Sequence, residues 1–433
     1  PSARRRAHRP PSGRHGPPDR RCGVVDGRDL LALPGRINRR FHSPATLMKG
    51  IRDGLPRERF MFDEVPPFVD RAPSPREVHL RTLLGAIESP KAGVTAARHD
   101  AFFTPVPDLA AIDALTSAYA ESGLRVTIAL DQPNVVDCRQ CPCLEDPPAS
   151  ALRAWMTAAS LPTTADLVAL DAHPLETRHD AGDGRLRAPV SGSAPHRVTK
   201  DHLARLAATE RERGRPFDVH MLKARLQRVC ARELAGGSLV RLTADRDPLD
   251  ARTNLVHGLW IDADDVAAIA AAGALVVHNA VCNLRGGGGI MPFRRLGEPG
   301  ISIVLGTNQA LADDASNLWT SVDLTGLVHK VSDLDVQPSS SARKVLDHVF
   351  AGGARATGLA DRLGPHRRPR GSRLHRRRSR DPRRGARHAA RARAGDRRCA
   401  RPCHPARTAS PRDISPAPAR STTAYRAGPP ATA

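Results

Sequence analysis

Short apolar, β-branched runs alternate along this chain with stretches patterned as helices, and that alternation constrains the fold more than any other feature. The runs are LRVTIAL (Leu124 to Leu130), RLRAPVS (Arg185 to Ser191), PFDVH (Pro216 to His220), TNLVHGLW (Thr253 to Trp260), ALVVH (Ala274 to His278) and ISIVLGT (Ile301 to Thr307). Between them lie segments such as Ala110 to Gly123, with apolar residues three and four apart and a glycine at the end, the pattern of an amphipathic helix and its stop. Repeated β-then-α units imply a parallel sheet, and this many units favour a closed (β/α)₈ TIM-like barrel over an open sheet.

In such a barrel the carboxyl ends of the strands carry the active site. Here the runs end in His220, His257 and His278, and Asn308 follows the last. Several ionisable side chains at strand ends point to one cleft, although a single histidine there is as readily structural. A further β-like run ends at Phe41-His42-Ser43, with Arg40 two residues before His42.

Charge separates the chain into three parts. The formal net charge is +22, but residues 1–23 hold 7 arginines and residues 364–433 hold 20, with no lysine in either. The remaining 24–363 carries 40 basic and 41 acidic residues, so the body is neutral. The ends are rich in Pro, Ala, Gly and Ser and poor in aliphatic residues, which predicts disorder because they cannot bury enough apolar area to offset chain entropy. Arg, Pro, Ala and Gly all have GC-rich codons, so the 364–433 tail reads as a possible out-of-frame product. A tail of arginines could neutralise phosphates. Yet single-strand binders interleave aromatic residues, and this tail has only Tyr425, so a nucleic-acid partner is not expected.

No apolar stretch follows the N-terminal arginines, and the longest apolar run, Val266 to Val277, is far short of the roughly 20 residues that span a bilayer. The expectation is a cytoplasmic protein with no membrane partner. Eight scattered cysteines in a chain this long do not suggest a disulfide framework. Cys138, Cys141 and Cys143 are close enough for a metal knuckle but lack a second pair at finger-like spacing. LRGGGGIMP (Leu284 to Pro292) lacks the Gly-Lys-Ser/Thr ending of a phosphate loop.

Five ordered segments resemble successive motifs of the amidohydrolase superfamily, in its deaminase and chlorohydrolase branch: LALPGRINRRFHSPATLMKGIRDGLP, DVHMLKARLQ, NLVHGLWIDADD, VVHNAVCNLRGGGGIMPFRRLGEPGIS and VLGTNQALADDASNLW. The resemblance implies a hydrolase of ring C–N bonds using one divalent ion, zinc or iron, at the barrel mouth. Such chemistry needs a metal-bound water acidic enough to attack near neutral pH and a carboxylate to carry its proton. It also implies a small heterocyclic substrate and assembly as a homo-oligomer.

Carried onto this chain, the motifs place metal ligands at Arg40 (a histidine in the family), His42, His220 and Asn308 (an aspartate in the family). They place Lys223 at the proton-shuttling glutamate, His257 at the water-orienting histidine, and His278 with Asn283 beside the substrate. Three of these positions are substituted. Arg40 cannot deprotonate to ligate and repels a cation. Lys223 has no carboxylate and could act as a base only with its proton removed by deep burial. Asn308 has lost its negative charge. The expectations are therefore doubtful metal binding and little or no hydrolase activity, with a non-catalytic binding or assembly role, or nucleic-acid binding by the basic tail, as the alternatives. The accessory β-sandwich that flanks such barrels is expected to be largely missing, leaving 24–363 as the folded unit.

Overall fold

The computed structural model describes residues 33–50, 72–103, 106–135, 161–246, 249–310, 315–331, 341–359 and 363. Both basic ends and the Cys138, Cys141 and Cys143 cluster lie outside the described residues. All the described strands are parallel and fall into two sheets. One contains β1 (Arg36–His42), β2 (Val94–Ala101), β3 (Arg125–Leu130), β4 (Leu186–Arg187) and, beside β1, the short β9 (Asn308–Gln309), in the order β4-β3-β2-β1-β9. The other contains β5 (Phe217–Met221), β6 (Thr253–His257), β7 (Leu275–His278) and β8 (Ile303–Leu305), in chain order.

Helices Pro75–Lys91, Leu109–Ser122, Thr164–Arg178, Lys200–Glu212 and Ala263–Ala272 lie between the strands, as the sequence alternation requires. Their ends are locally encoded. Ser74 with Glu77, Thr163 with Asp166 and Asp262 with Asp265 form capping boxes that satisfy otherwise unpaired N–H groups. Gly123 ends its helix at a φ of 68°, a left-handed conformation that glycine adopts without steric cost.

Alternate strand residues divide between two environments. Phe41, Ala97, Val126, Ile128 and Leu130 pack on Val78, Ile112, Leu115 and Tyr119 of the flanking helices. Phe217, Val219, Met221, Leu255 and Val276 do the same against Leu203, Leu206, Val266 and Ile269. On the opposite, inner face, Val256, Val277 and Val304 form an apolar patch in the second sheet. The inner face of the first sheet and of β5 is ionic. Arg39 binds Asp218 through both oxygens at 2.8 and 3.0 Å, Arg98 lies 3.5 Å from Asp100 and from Asp218, and Asn254 donates to Asp218 at 2.6 Å. Arg39, Arg40, Arg98, Asp100 and Asp218 are all at most 2% exposed.

A bulge in β1 makes this possible. Asn38 pairs with Ala97 and Phe41 with His99, so three steps on β1 answer two on β2. The extra residue lets the consecutive Arg39 and Arg40 both reach the inner face, while Phe41 still faces the helices.

The two sheets are stitched by hydrogen bonds at both seams. Ser191 bridges Asp218, Gly192 N–H donates to Asp218 O at 2.9 Å, and His220 N–H donates to Ser193 O at 2.7 Å. At the other seam Thr307 N–H donates to Arg40 O at 3.1 Å, and Asn38 grips Thr307 from both its amide atoms. A Cβ on Gly306 would stand 2.6 Å from Arg40 Cβ and 2.5 Å from Asn279 Oδ1, so only glycine permits this approach.

Several expected boundaries shift. The Arg185 to Ser191 run yields only Leu186–Arg187, because Pro189 has no N–H to continue the ladder. The Thr253 to Trp260 run ends at His257, where φ turns to 83°. Strand β2 went unread because Arg98, His99 and Asp100 break its apolar pattern, although all three are buried. No described helix is long and apolar enough to cross a membrane.

Removing the Asp218 charge leaves Arg39 and Arg98 facing each other in the interior. Asp218→Asn should lower unfolding stability by about 3–5 kcal/mol, the usual cost of orphaning a buried charge, read from urea denaturation. An unchanged midpoint would show that the network is not what holds these sheets.

Candidate active site at the strand ends

Arg40 and His42 sit two apart on β1, with Phe41 between them packed into the helix-facing core, so both side chains project inward. The His42 Nδ1 faces the Asp100 carbonyl at 2.8 Å, which places the single proton of its neutral ring there. Its Nε2 lies 3.1 Å from the Asn308 amide oxygen, and the Asn308 amide nitrogen reaches Cys282 Sγ at 2.9 Å. Asn308 holds this position with a φ of 67°, which asparagine tolerates better than most residues.

His220, at the end of β5, directs Nδ1 to Ser193 O at 3.0 Å. Its ring stacks 6.2 Å from that of His42 and 5.7 Å from that of His257. His257 Nδ1 donates to Asn283 Oδ1 at 2.8 Å, so Asn283 orients His257. Lys223, 5% exposed, follows two residues after β5. A Cβ on Gly288 would meet its carbonyl oxygen at 3.0 Å, so the glycine loop lies over it, with Gly288 O also accepting from Trp260 Nε1 at 2.7 Å.

At the centre is the Arg40 guanidinium. Nη1 pairs with Asp100 Oδ2, and Nη2 lies 3.6 Å from Asp131 Oδ2 and against the His220 ring, 3.3 Å from its Nδ1. Asp100 and Asp131 close β2 and β3, and neither was identified from sequence. Their signal was the one used for the histidines, an ionisable residue at a strand end: ARHD in a strand not recognised, and IALD one residue beyond a recognised one. His278 joins a different cluster, with His329 Nε2 3.0 Å from its own Nε2 and the Phe293 ring 6.3 Å away. The structure thus brings Arg40, His42, His220, His257, Asn283 and Asn308 together and gives His278 other neighbours.

Electrostatics follow from this packing. Burial, then Arg40 and Lys223, hold His42 well below the ordinary histidine range, and burial, then Arg40 and His257, do so for His220. Both rings are neutral near pH 7. Burial pushes the Asp100 carboxyl up, but Arg40 and Arg98 outweigh it and keep Asp100 ionised. Burial raises Asp131 against the pull of Arg197.

Among the described residues, one group of three His, Cys, Asp or Glu side chains brings its ligand atoms within 4.8 Å of one another: Asp100, Asp131 and His220. Arg40 contacts all three, so the set does not fit a divalent ion while that side chain is in place.

Parallel strands alternating with helices, their carboxyl ends converging on histidines and carboxylates, define an α/β protein with its candidate site at the strand ends. Residues 31–367 match the amidohydrolase family, and the chain belongs to it. Among similar sequences, a 5-methylthioadenosine/S-adenosylhomocysteine deaminase of Thermococcus onnurineus is 26% identical over 337 residues, covering 78% of this chain and 72% of the relative. A 5'-deoxyadenosine deaminase of Methanosarcina barkeri is 22% identical, covering 77% and 70%. Among solved structures, an adenosine deaminase of Xanthomonas campestris with bound zinc aligns with a TM-score of 0.64 at 19% identity, covering 78% and 69%. A zinc complex of the atrazine chlorohydrolase of Arthrobacter aurescens aligns at 0.67 and 21%, covering 78% and 74%. These two establish likeness of fold.

His99, between Asp100 and Arg98, accepts the Ser43 N–H at 3.0 Å and so fixes the turn leaving His42. Burial lowers it from 6.5 to about 3, so it stays neutral in the fold but takes up a proton when unfolded. Its stabilisation is present above pH 6.5 and is lost as pH falls toward 3. Relative to His99→Gln, the parent should lose about 1.4 kcal/mol per pH unit through that window, read from urea midpoints at successive pH values. Parallel pH profiles would contradict this.

Proposed function

We propose that this chain is a barrel of the deaminase and chlorohydrolase branch whose hydrolytic machinery is impaired, retaining a pocket for a small heterocycle at the strand ends. The observation that carries the reading is the Arg40 guanidinium seated among Asp100, Asp131 and His220. The seam hydrogen bonds support a closed (β/α)₈ barrel, with 24–363 as its domain.

Ring hydrolysis of this kind needs an activated water and a group that accepts its proton and passes it to the leaving group. In this chain His257 is held by Asn283 in a pose suited to orienting a water. Lys223 stands at the place of the carboxylate and offers an amine in its stead. The Asn308 amide oxygen lies 3.1 Å from His42 Nε2, and Asn308 supplies no charge. The side chains present do not accommodate a metal, because Arg40 contacts Asp100, Asp131 and His220.

The second reading is a non-catalytic binding or assembly partner, including a homo-oligomer. It is favoured by the fixed orientation of His42, His220 and His257, each held through Nδ1, which shapes a site without the hydrolytic groups. A cytoplasmic location and small heterocyclic ligands, of the kind named in the relatives' activities, belong to both readings.

Ammonia release from 5'-deoxyadenosine, 5-methylthioadenosine and S-adenosylhomocysteine should be absent or barely above background for the unmodified chain. Arg40→His alone should remain inactive, because Lys223 and Asn308 break the site from two other strands. Combining Arg40→His, Lys223→Glu and Asn308→Asp is the smallest change expected to restore turnover. Steady-state activity in the unmodified chain or in the single variant would overturn this account.

A further inference from the structure

We infer that the Arg40 guanidinium is the resident cation of this site, occupying the space and taking the ligand contacts that a divalent ion would require, so that the site is held together without metal. The inference rests on reading the strand ends as a descendant of a metal-dependent site.

The argument begins with exclusion. A zinc ion needs its ligand atoms about 2.0–2.2 Å away, and Asp100, Asp131 and His220 are the described side chains that could share one. Each of the three is in contact with Arg40: Asp100 through Nη1, Asp131 and His220 through Nη2. An ion and the guanidinium therefore compete for one volume and one set of partners.

Displacement is blocked in two ways. Arginine stays protonated at any working pH, so it cannot yield by losing its charge as a lysine or histidine could. Its backbone is also clamped, because Arg40 O accepts the Thr307 N–H at 3.1 Å and Gly306 packs against Arg40 Cβ and N. The side chain has no exposed surface into which to swing.

The framework around the guanidinium is ordered. His42 and His220 each direct Nδ1 to a backbone carbonyl, Asp100 O and Ser193 O, the arrangement by which metal-binding histidines are usually oriented. Such ordering persists here around an organic cation. Asp100 and Asp131 flank the fixed guanidinium and are themselves faced by Arg98 and Arg197, and Arg40 thereby acts as a positioning residue for the surrounding imidazoles.

The test uses the full chain purified from zinc-supplemented culture and dialysed against zinc without chelator. Elemental analysis should find fewer than about 0.1 zinc per chain, since a catalytic zinc site normally needs three protein ligands; a full equivalent with Arg40 intact overturns the inference. Arg40→Lys, which keeps the charge, should melt closer to the parent than Arg40→Met, which keeps the bulk. Equal midpoints for the two variants would overturn it as well. In Arg40→Ala, thermal stability should recover in part on adding zinc chloride, or guanidinium chloride at low millimolar concentration against matched sodium chloride, and the parent should respond to neither. A folded Arg40→Ala protein without either response would refute the inference. Deaminase turnover by a zinc-free parent would sink the proposed impairment while leaving the resident cation standing, and zinc bound in an inactive parent would do the reverse.

Discussion

The ion pair between Arg40 and Asp100 sits where the chain has least freedom to compromise. Both side chains are fully buried, and each is also engaged elsewhere: Arg40 with Asp131 and His220, Asp100 with Arg98 and the Ser191 hydroxyl. Isolated charges at that depth would be strongly unfavourable, and they are tolerated because each faces an opposite charge at close range. Through Arg98 the cluster continues to Asp218 and Arg39, so strands β1, β2, β3 and β5 share one ionic interior. Elsewhere on the inner face, Val256, Val277 and Val304 provide ordinary apolar packing.

This division gives the structure two unlike halves. The apolar half tolerates conservative exchange, since dispersion and burial are not directional. The ionic half depends on angles and distances, and its components come from residues 39 to 218, far apart in the chain. The seam at Gly306 and Thr307 is where the halves meet, and there Asn38 provides a hydrogen-bond clamp. His42 and His220 have neutral rings because burial and neighbouring cations disfavour a further positive charge.

Much of this was legible in the sequence, and for definite reasons. Strands β3, β5, β6 and β7 are marked by β-branched runs, and β5 and β6 carry His220 and His257 at or beside their ends, whose rings stack 5.7 Å apart. Arg40 and His42, two apart on β1, share a face because Phe41 between them is committed to the helix side. Strand β2 was hidden because its inward residues are Arg98 and Asp100, and hydrophobic periodicity is blind to a buried ionic face. Asp100 and Asp131 were missed for the related reason that their importance comes from facing Arg40, a pairing across 60 and 91 residues that no local pattern records. For His278 a strand-end position does not disclose its neighbours, which are Phe293 and His329.

The bulge in β1 has a topological implication. It acts as a phase slip: side chains before it and after it follow opposite parities along the same strand. A chain shortened by one residue between Asn38 and Phe41 would have to choose between delivering Arg39 to Asp218 and delivering an arginine to Asp100. The two ionic networks therefore coexist through one surplus backbone unit, and a length change at this point would alter the site more drastically than any single substitution within it.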